Sequence, residues 1–278
     1  MGLILIAGLL IFFFVVMAIV KVSRKSRGRR RRKRIRGKTA SEWFRLGKQA
    51  KYLTKKVECF SKVLRLNPNH TAAWHEKGLA LSDLERHEEA ISCFDKAIRI
   101  NPADGTAWHR KGIELRLLGK HEEAISCCDK AIQINPRDHF AWNHKGVALR
   151  ELRKYQEALD CCDKAIQINP RYPFGWYSKG LAMDNLGRYE EAIDCYDKSI
   201  QLDPSHRFAR NSRVWHSKGL ALEKLGRYTE AITCHDKAIR LYPSSESARE
   251  SLAKAKRTKQ VEDEKAEIIA KIDEELGE

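Results

Sequence analysis

The sequence has few prolines, and they are not scattered. Of the seven, six close equivalent stretches of chain, and all six tryptophans open those same stretches. The eight cysteines include no Cys-x-x-Cys pair and the ten histidines no His-x3-His pair. No glycine-rich loop suited to cradling a phosphate is present. These absences remove zinc ribbons, dithiol redox motifs, zincin-type metalloenzymes and P-loop nucleotide sites. No nucleophile and base share a recognisable motif either. The expectation is a chain that is not an enzyme and has no cofactor and no metal site. Two further absences are local. Residues 1–20 hold no charged side chain, and residues 21–38 hold no acid.

What is present is a repeat. Successive tryptophans, from Trp43 to Trp215, lie 31, 34, 34, 34 and 39 residues apart. Full copies run Trp74–Pro102, Trp108–Pro136, Trp142–Pro170, Trp176–Pro204 and Trp215–Pro243, with a degenerate copy at Trp43–Pro68. A fixed period of this length marks a stacked array. Each unit has two helix-period stretches, Trp108–Leu118 and Glu122–Ile134 in the clearest copy. Gly119, Gly187 and Gly226 fall where the first helix must close, a place that calls for positive φ. Asn135-Pro136 ends the second helix because proline cannot continue it. Gly112 and Ala124 are small where two antiparallel helices must approach, and Trp108 and Ile125 are expected to supply buried bulk. One such hairpin cannot cover its own apolar face, so it stacks on its neighbours.

The residues Trp74, Gly78, Ala90, Phe94, Ala97 and Pro102, repeated in register over roughly residues 40–245, resemble the tetratricopeptide repeat family. Two departures stand out. The family's Leu before Gly is Lys77, Lys111, Lys145, Lys179 or Lys218 here, and the first copy is three residues short. The resemblance implies an all-α, right-handed α-solenoid of about six helix hairpins. It gives a degenerate repeat at 40–70, repeats at 71–104, 105–138, 139–172, 173–206 and 212–245, and a capping helix with charged tail at 246–278. It also implies a groove lined by first helices that takes a peptide or helix of a protein partner. Carried onto this sequence, the middle of that groove holds His109, Arg116, Phe140, Asn143, Arg150, Phe174 and Tyr177. Aromatic residues and Arg are the usual anchors of interfaces. The place where chaperone-binding members carry a clamp Asn holds Leu79, Ile113, Val147, Leu181 and Leu220, so chaperone-tail binding is not implied.

Inside the array all eight cysteines occupy two adjacent places of the second helix. Equivalent places in stacked helices are about 8–10 Å apart, beyond disulfide reach, so these are expected to be buried free thiols. Free thiols in this number suit a reducing compartment. The histidines recur at packing places, too far apart to share a metal. Each Lys before Gly is expected to pair with the Asp of its own hairpin, Lys111 with Asp129 for example, for under about 1 kcal/mol.

The charge is concentrated before the array. The chain has 53 Lys and Arg against 37 Asp and Glu, and twelve of the basic residues lie in residues 21–38. Residues 1–20 are rich in Leu, Ile, Phe and Val, and about 20 helical residues span the hydrocarbon of a bilayer. Positive charge follows this stretch and none precedes it, unlike a cleaved signal. The expectation is one transmembrane helix over 1–20, N-terminus outside and repeats in the cytoplasm. Residues 21–39 form a polybasic juxtamembrane segment in which Arg29, Arg30, Arg31, Arg32, Lys33 and Arg34 meet anionic lipid head groups. No aromatic residue interrupts the segment, which favours lipid over nucleic acid.

Between Pro204 and Trp215 the chain carries an insertion, around residues 205–211. After Pro243 the period stops; Ala248, Leu252 and Ala255 share one helical face, as a cap needs, and a charge-dense tail follows. Taken together the sequence points to a membrane-anchored scaffold or adaptor that binds a partner peptide or helix. A structural or assembly subunit of a membrane complex is the alternative, and a membrane-tethered nucleic-acid binder a weaker one.

Overall fold

The computed structural model describes residues 37–203 and 209–276. The span expected over residues 1–20 and the basic residues Arg29, Arg30, Arg31, Arg32, Lys33 and Arg34 lie outside the described residues, as do Pro204 and residues 205–208 of the insertion. Among the described residues the fold is all-α, with thirteen helices and no strand. No helix among them is long and apolar enough to cross a membrane.

The chain divides into two compact units, one ending at Leu118 and the other beginning at Gly119. The first unit contains α1 (Ala40–Gln49), α2 (Leu53–Leu66), α3 (Thr71–Ser82), α4 (His87–Ile100) and α5 (Gly105–Leu117), each packed on the next. The second contains α6 (His121–Ile134), α7 (His139–Glu151), α8 (Tyr155–Ile168), α9 (Pro173–Asn185), α10 (Tyr189–Leu202), α11 (Ala209–Lys224), α12 (Tyr228–Leu241) and α13 (Glu246–Leu276). Here too consecutive helices pack. In addition α7 touches α9, α9 touches α11, and α11 touches α13, so first helices stand side by side.

The hairpins close through a glycine. A Cβ at Gly78 would meet the Phe94 ring at 2.7 Å, and one at Gly180 would meet Tyr196 at 2.6 Å. Only a missing side chain lets α3 reach α4, or α9 reach α10, with an aromatic ring between them. Phe60, Phe94, Cys128, Cys162, Tyr196 and His235 share that second-helix place, each at most 1% exposed. These side chains fill the space beside the glycine, while the tryptophans pack against the core clusters from their edge. Trp74, Trp108, Trp142, Trp176 and Trp215 are half-buried; only Trp43 is buried. The correction has a polar cause. The indole N–H donates to the proline carbonyl six residues earlier, Trp74 to Pro68 at 2.7 Å and Trp108, Trp142 and Trp176 to Pro102, Pro136 and Pro170 at 3.0 Å. That bond holds the ring edge at the surface beside the turn and explains why Trp and Pro recur together.

The turns are equally regular. Second helices stop at Asn67, Asn101, Asn135 and Asn169, whose side-chain oxygens accept the N–H two residues on at 3.1–3.3 Å. Asparagine makes the turn and the following proline has no N–H to satisfy. First helices close with φ of +76°, +75° and +72° at Gly119, Gly187 and Gly226, as the sequence predicts. Glu85 and Arg153 adopt the same left-handed conformation, with φ of 59° and 60°, at the equivalent place of two other repeats.

The lysines before glycine do pair with Asp, but with the Asp of the preceding hairpin. Lys111 meets Asp95 at 2.7 Å, Lys145 Asp129 at 2.6 Å, Lys179 Asp163 at 2.7 Å and Lys218 Asp197 at 2.5 Å. Adjacent helix positions point about 100° apart, so when Gly faces its own second helix the Lys before it faces backwards. Each of these ammonium groups, and that of Lys77, also lies 5.7–5.9 Å from the centre of the Trp ring three residues earlier. The ladder therefore ties one repeat to the next.

All eight cysteines are free and buried. The C-terminal helix copies a first helix. Arg249 stands in the tryptophan place and donates to the Pro243 carbonyl, while Ala248 and Ala255 are wholly buried.

Candidate protein-binding surface

Four residues of the second unit form an aromatic cluster at the N-terminal ends of α7 and α9. Tyr172 is its centre, 8% exposed. The Phe140 ring lies 5.3 Å from it edge-on, Phe174 lies 5.6 Å away and His139 4.9 Å. His139 also packs on Phe140 at 4.1 Å and shares a 3.2 Å hydrogen bond with the Asn169 side chain. Burial depresses the His139 pKa below its ordinary value, which favours the neutral ring. Phe140 stays 44% exposed on top of this cluster.

Local sequence explains the arrangement. The N-cap places of α3, α5 and α7 hold His70, Asp104 and Asp138, each accepting a backbone N–H of its helix. At α9 that place holds Tyr172, which makes no such bond, and Pro173 follows at N1. Proline there needs no N–H partner and fixes φ for the first turn, so the cap side chain is free to be aromatic. Gly175 makes room for it: a Cβ there would lie 3.2 Å from Tyr172 and 3.1 Å from Ile166. Other repeats carry Ala73, Ala107 or Ala141 at that place.

The residues expected to line a groove fall into separate groups. Phe140 and Phe174 come together over Tyr172. Tyr177 turns away from them, its ring 5.9 Å from buried Tyr196 and its hydroxyl 3.4 Å from Ser217 on α11. Arg150, at the far end of α7, is partly buried and pairs with Glu151 at 2.7 Å. Asn143 is only 3% exposed and offers a partner little surface. His109, 5% exposed, and half-buried Arg116 lie on α5 in the first unit. Sequence reasoning missed Tyr172 and His139. The visible signal was an aromatic residue in a cap place, followed by proline.

The first unit has a polar feature the sequence reading passed over. Ala80, Ala148, Ala182, Ala221 and Ala255 occupy one buried first-helix place, and in α5 that place is Glu114. Its carboxylate, 2% exposed, accepts from Ser82 Oγ at 2.7 Å and bonds His87 Nδ1 at 2.8 Å. Serine and histidine each meet the glutamate, so this is a packing network and not a nucleophile activated by histidine. Among the described residues no three His, Cys, Asp or Glu side chains converge as a metal ion would require.

Comparison with known proteins bears on the fold. No curated protein matches the chain. A chain of the APC/C hetero-tetramer Cut9–Hcn1 superposes with a TM-score of 0.69 at 20% identity, over 78% of this chain. This chain spans 42% of the length of that one. TTC0263, a thermophilic tetratricopeptide protein of Thermus thermophilus, gives 0.58 at 21% identity, covering 66% of this chain and 98% of that one. YrrB, described as a tetratricopeptide protein with an unusual peptide-binding site, gives 0.50 at 21%, covering 70% and 98%. At these identities the likeness concerns the fold alone. The family model for the tetratricopeptide repeat matches residues 71–104, 106–138, 139–172, 173–206 and 212–245, more than half of the sequence, and the chain belongs to that family.

Proposed function

We propose that the protein is a non-enzymatic adaptor, anchored in a membrane by residues 1–20, which recruits a protein partner through the first-helix face of its second unit. Tetratricopeptide repeats serve protein–protein interaction, and YrrB is described as binding peptide. The observation that carries the reading here is Phe140, a large aromatic side chain held 44% exposed over buried Tyr172. An exposed ring set on a rigid, preorganised platform loses little entropy on binding. The ligand class that fits is an extended or helical segment with apolar anchors.

The anchor reading rests on the uncharged residues 1–20 and the basic block that follows. Its orientation places the repeats in the cytoplasm, where eight free thiols are stable. The test of recruitment is a pull-down with Phe140→Ala, alone and with Phe174→Ala. Partner capture is expected to fall at least tenfold, about 1.4 kcal/mol or more, while the melting temperature of the single variant stays within about 2 °C of wild type. Capture that falls only as far as the folded fraction falls would assign Phe140 to the core and overturn the proposal.

A further inference from the structure

The C-terminal half of α13 has no use in the fold. From Gln260 to Glu274 every residue is exposed, although the helix continues without a break. Val261, Ile268, Ile269 and Ile272 are 47%, 57%, 59% and 47% exposed. At 100° per residue they fall within about a third of the helix circumference, turned away from the Ala248–Ala255 face that caps the repeats. Four large aliphatic side chains on one stripe of a solvated helix call for a partner surface.

Charge says which. Lys254, Lys256, Arg257 and Lys259 precede the stripe, while Glu262, Asp263, Glu264, Glu267, Asp273 and Glu274 accompany and follow it. The last turn has no basic residue. Acids toward the C-terminal end oppose the helix dipole, so this arrangement does not serve the isolated helix. A parallel pair would set the basic half against the basic half and the acidic against the acidic. An antiparallel pair of identical helices crosses them. With Val261 opposite Ile272 of the second copy, Lys265 falls opposite Ile268, Glu264 beside Lys271, and Lys259 opposite Glu274. Val261, Lys265, Ile268 and Ile272 follow the four-three-four spacing of a helix–helix seam.

We infer that the protein self-associates through an antiparallel pairing of α13 with α13 of a second copy. The full chain in neutral detergent, examined by light scattering, is expected to have twice the protein mass of one chain. Ile268→Glu with Ile272→Glu halves that mass and leaves the melting temperature unchanged, because these side chains touch no repeat. Orientation is read by disulfide trapping. Lys259→Cys chains mixed with Glu274→Cys chains give mainly the mixed disulfide, the native thiols being buried. Lys259→Glu weakens pairing, and adding Glu274→Lys to the same chain restores it. A wild-type chain that remains monomeric, as it would if α13 docked on residues 21–38 of its own chain, overturns the inference. So does a mass insensitive to the isoleucine changes, or a preference for the 259–259 disulfide.

Discussion

The two units share one frame and differ in what they show. At the first-helix place two before tryptophan, the first unit carries Ala72 and Thr106, and the second carries Phe140 and Phe174. At the cap place the first unit has His70 and Asp104 bonded to backbone, and the second has Asp138 and then Tyr172, which packs against rings. At the buried alanine place the contrast reverses. The first unit carries Glu114, tied to Ser82 and His87, and the second only alanine. Meanwhile the Trp–Pro hydrogen bond and the Lys–Asp pair are the same in both. The Trp, Pro, Lys and Asp that tie turns and neighbouring repeats together are the same in both units, and the differences fall at the cap, at the place two before tryptophan and at the buried alanine place. The first unit spends its variation on an internal polar contact and the second on an exposed aromatic surface.

The largest expected difference between the units is in alkali. Burial pushes the thiols of Cys161, Cys195 and Cys234 up to about 11 and that of Cys128 to about 12, and raises Cys162 as well, whereas the first unit has two raised thiols, Cys93 at about 11 and Cys59. These groups bind protons more tightly folded than unfolded. Their contribution is complete below pH 9.0 and is lost as pH rises toward 11, by about 1.4 kcal/mol per pH unit for each thiol. The second unit should therefore open first. Pulse alkylation mapped by mass spectrometry across pH 8–12 checks this, and equal labelling of Cys93 and Cys195 at every pH would break the distinction.

Next is Tyr196→Ala, which empties the site of the largest fully buried side chain and is expected to destabilise by about 3–5 kcal/mol. Repeats couple to their neighbours, so hydrogen-exchange protection should fall around α9 and α10 while α1–α4 keep theirs. A uniform loss would show that the units unfold as one.

Smaller effects concern the turns and the ladder. Arg153 holds a left-handed φ that glycine adopts freely, so Arg153→Gly should stabilise the second unit by about 1 kcal/mol or less, the gain being reduced by glycine's freedom in the unfolded chain. Glu85→Gly should do the same for the first. A thermal melt that fell in both variants would show that the side chains matter more than the backbone. Lys179→Ala should cost under about 1 kcal/mol, since Asp163 is half exposed and the pair is screened. A larger loss measured by urea unfolding would mean that the ladder holds adjacent repeats together more firmly than surface pairs do.

How far the sequence could be read follows from this division of labour. The hairpins, the closing glycines and the stacked thiols were legible because each answers to a local rule repeated along the array. The direction of the Lys–Asp pairs was not, since Asp95 and Asp129 are both at plausible separations from Lys111. Only the backbone angle between Lys111 and Gly112 decides between them. Nor was the half-exposure of Trp142 legible, because it depends on the Pro136 carbonyl and not on any side chain. The aromatic surface was half legible. Phe140 and Phe174 could be placed from the repeat, but Tyr177 packs inward on Tyr196, and Tyr172 has to be seen as a cap residue that does not cap.

The central claim is that the second unit's aromatic face meets a protein partner and the first unit's equivalent face does not. Its most direct measurement places a photoactivatable side chain at position 140 in one version of the full chain and at position 72 in another, with crosslinking in intact cells. Position 140 is expected to give a discrete adduct with a protein partner that Phe174→Ala removes, and position 72 none. An adduct at position 72 as strong as that at 140, or one at 140 that persists in the Phe174→Ala chain, would contradict the account.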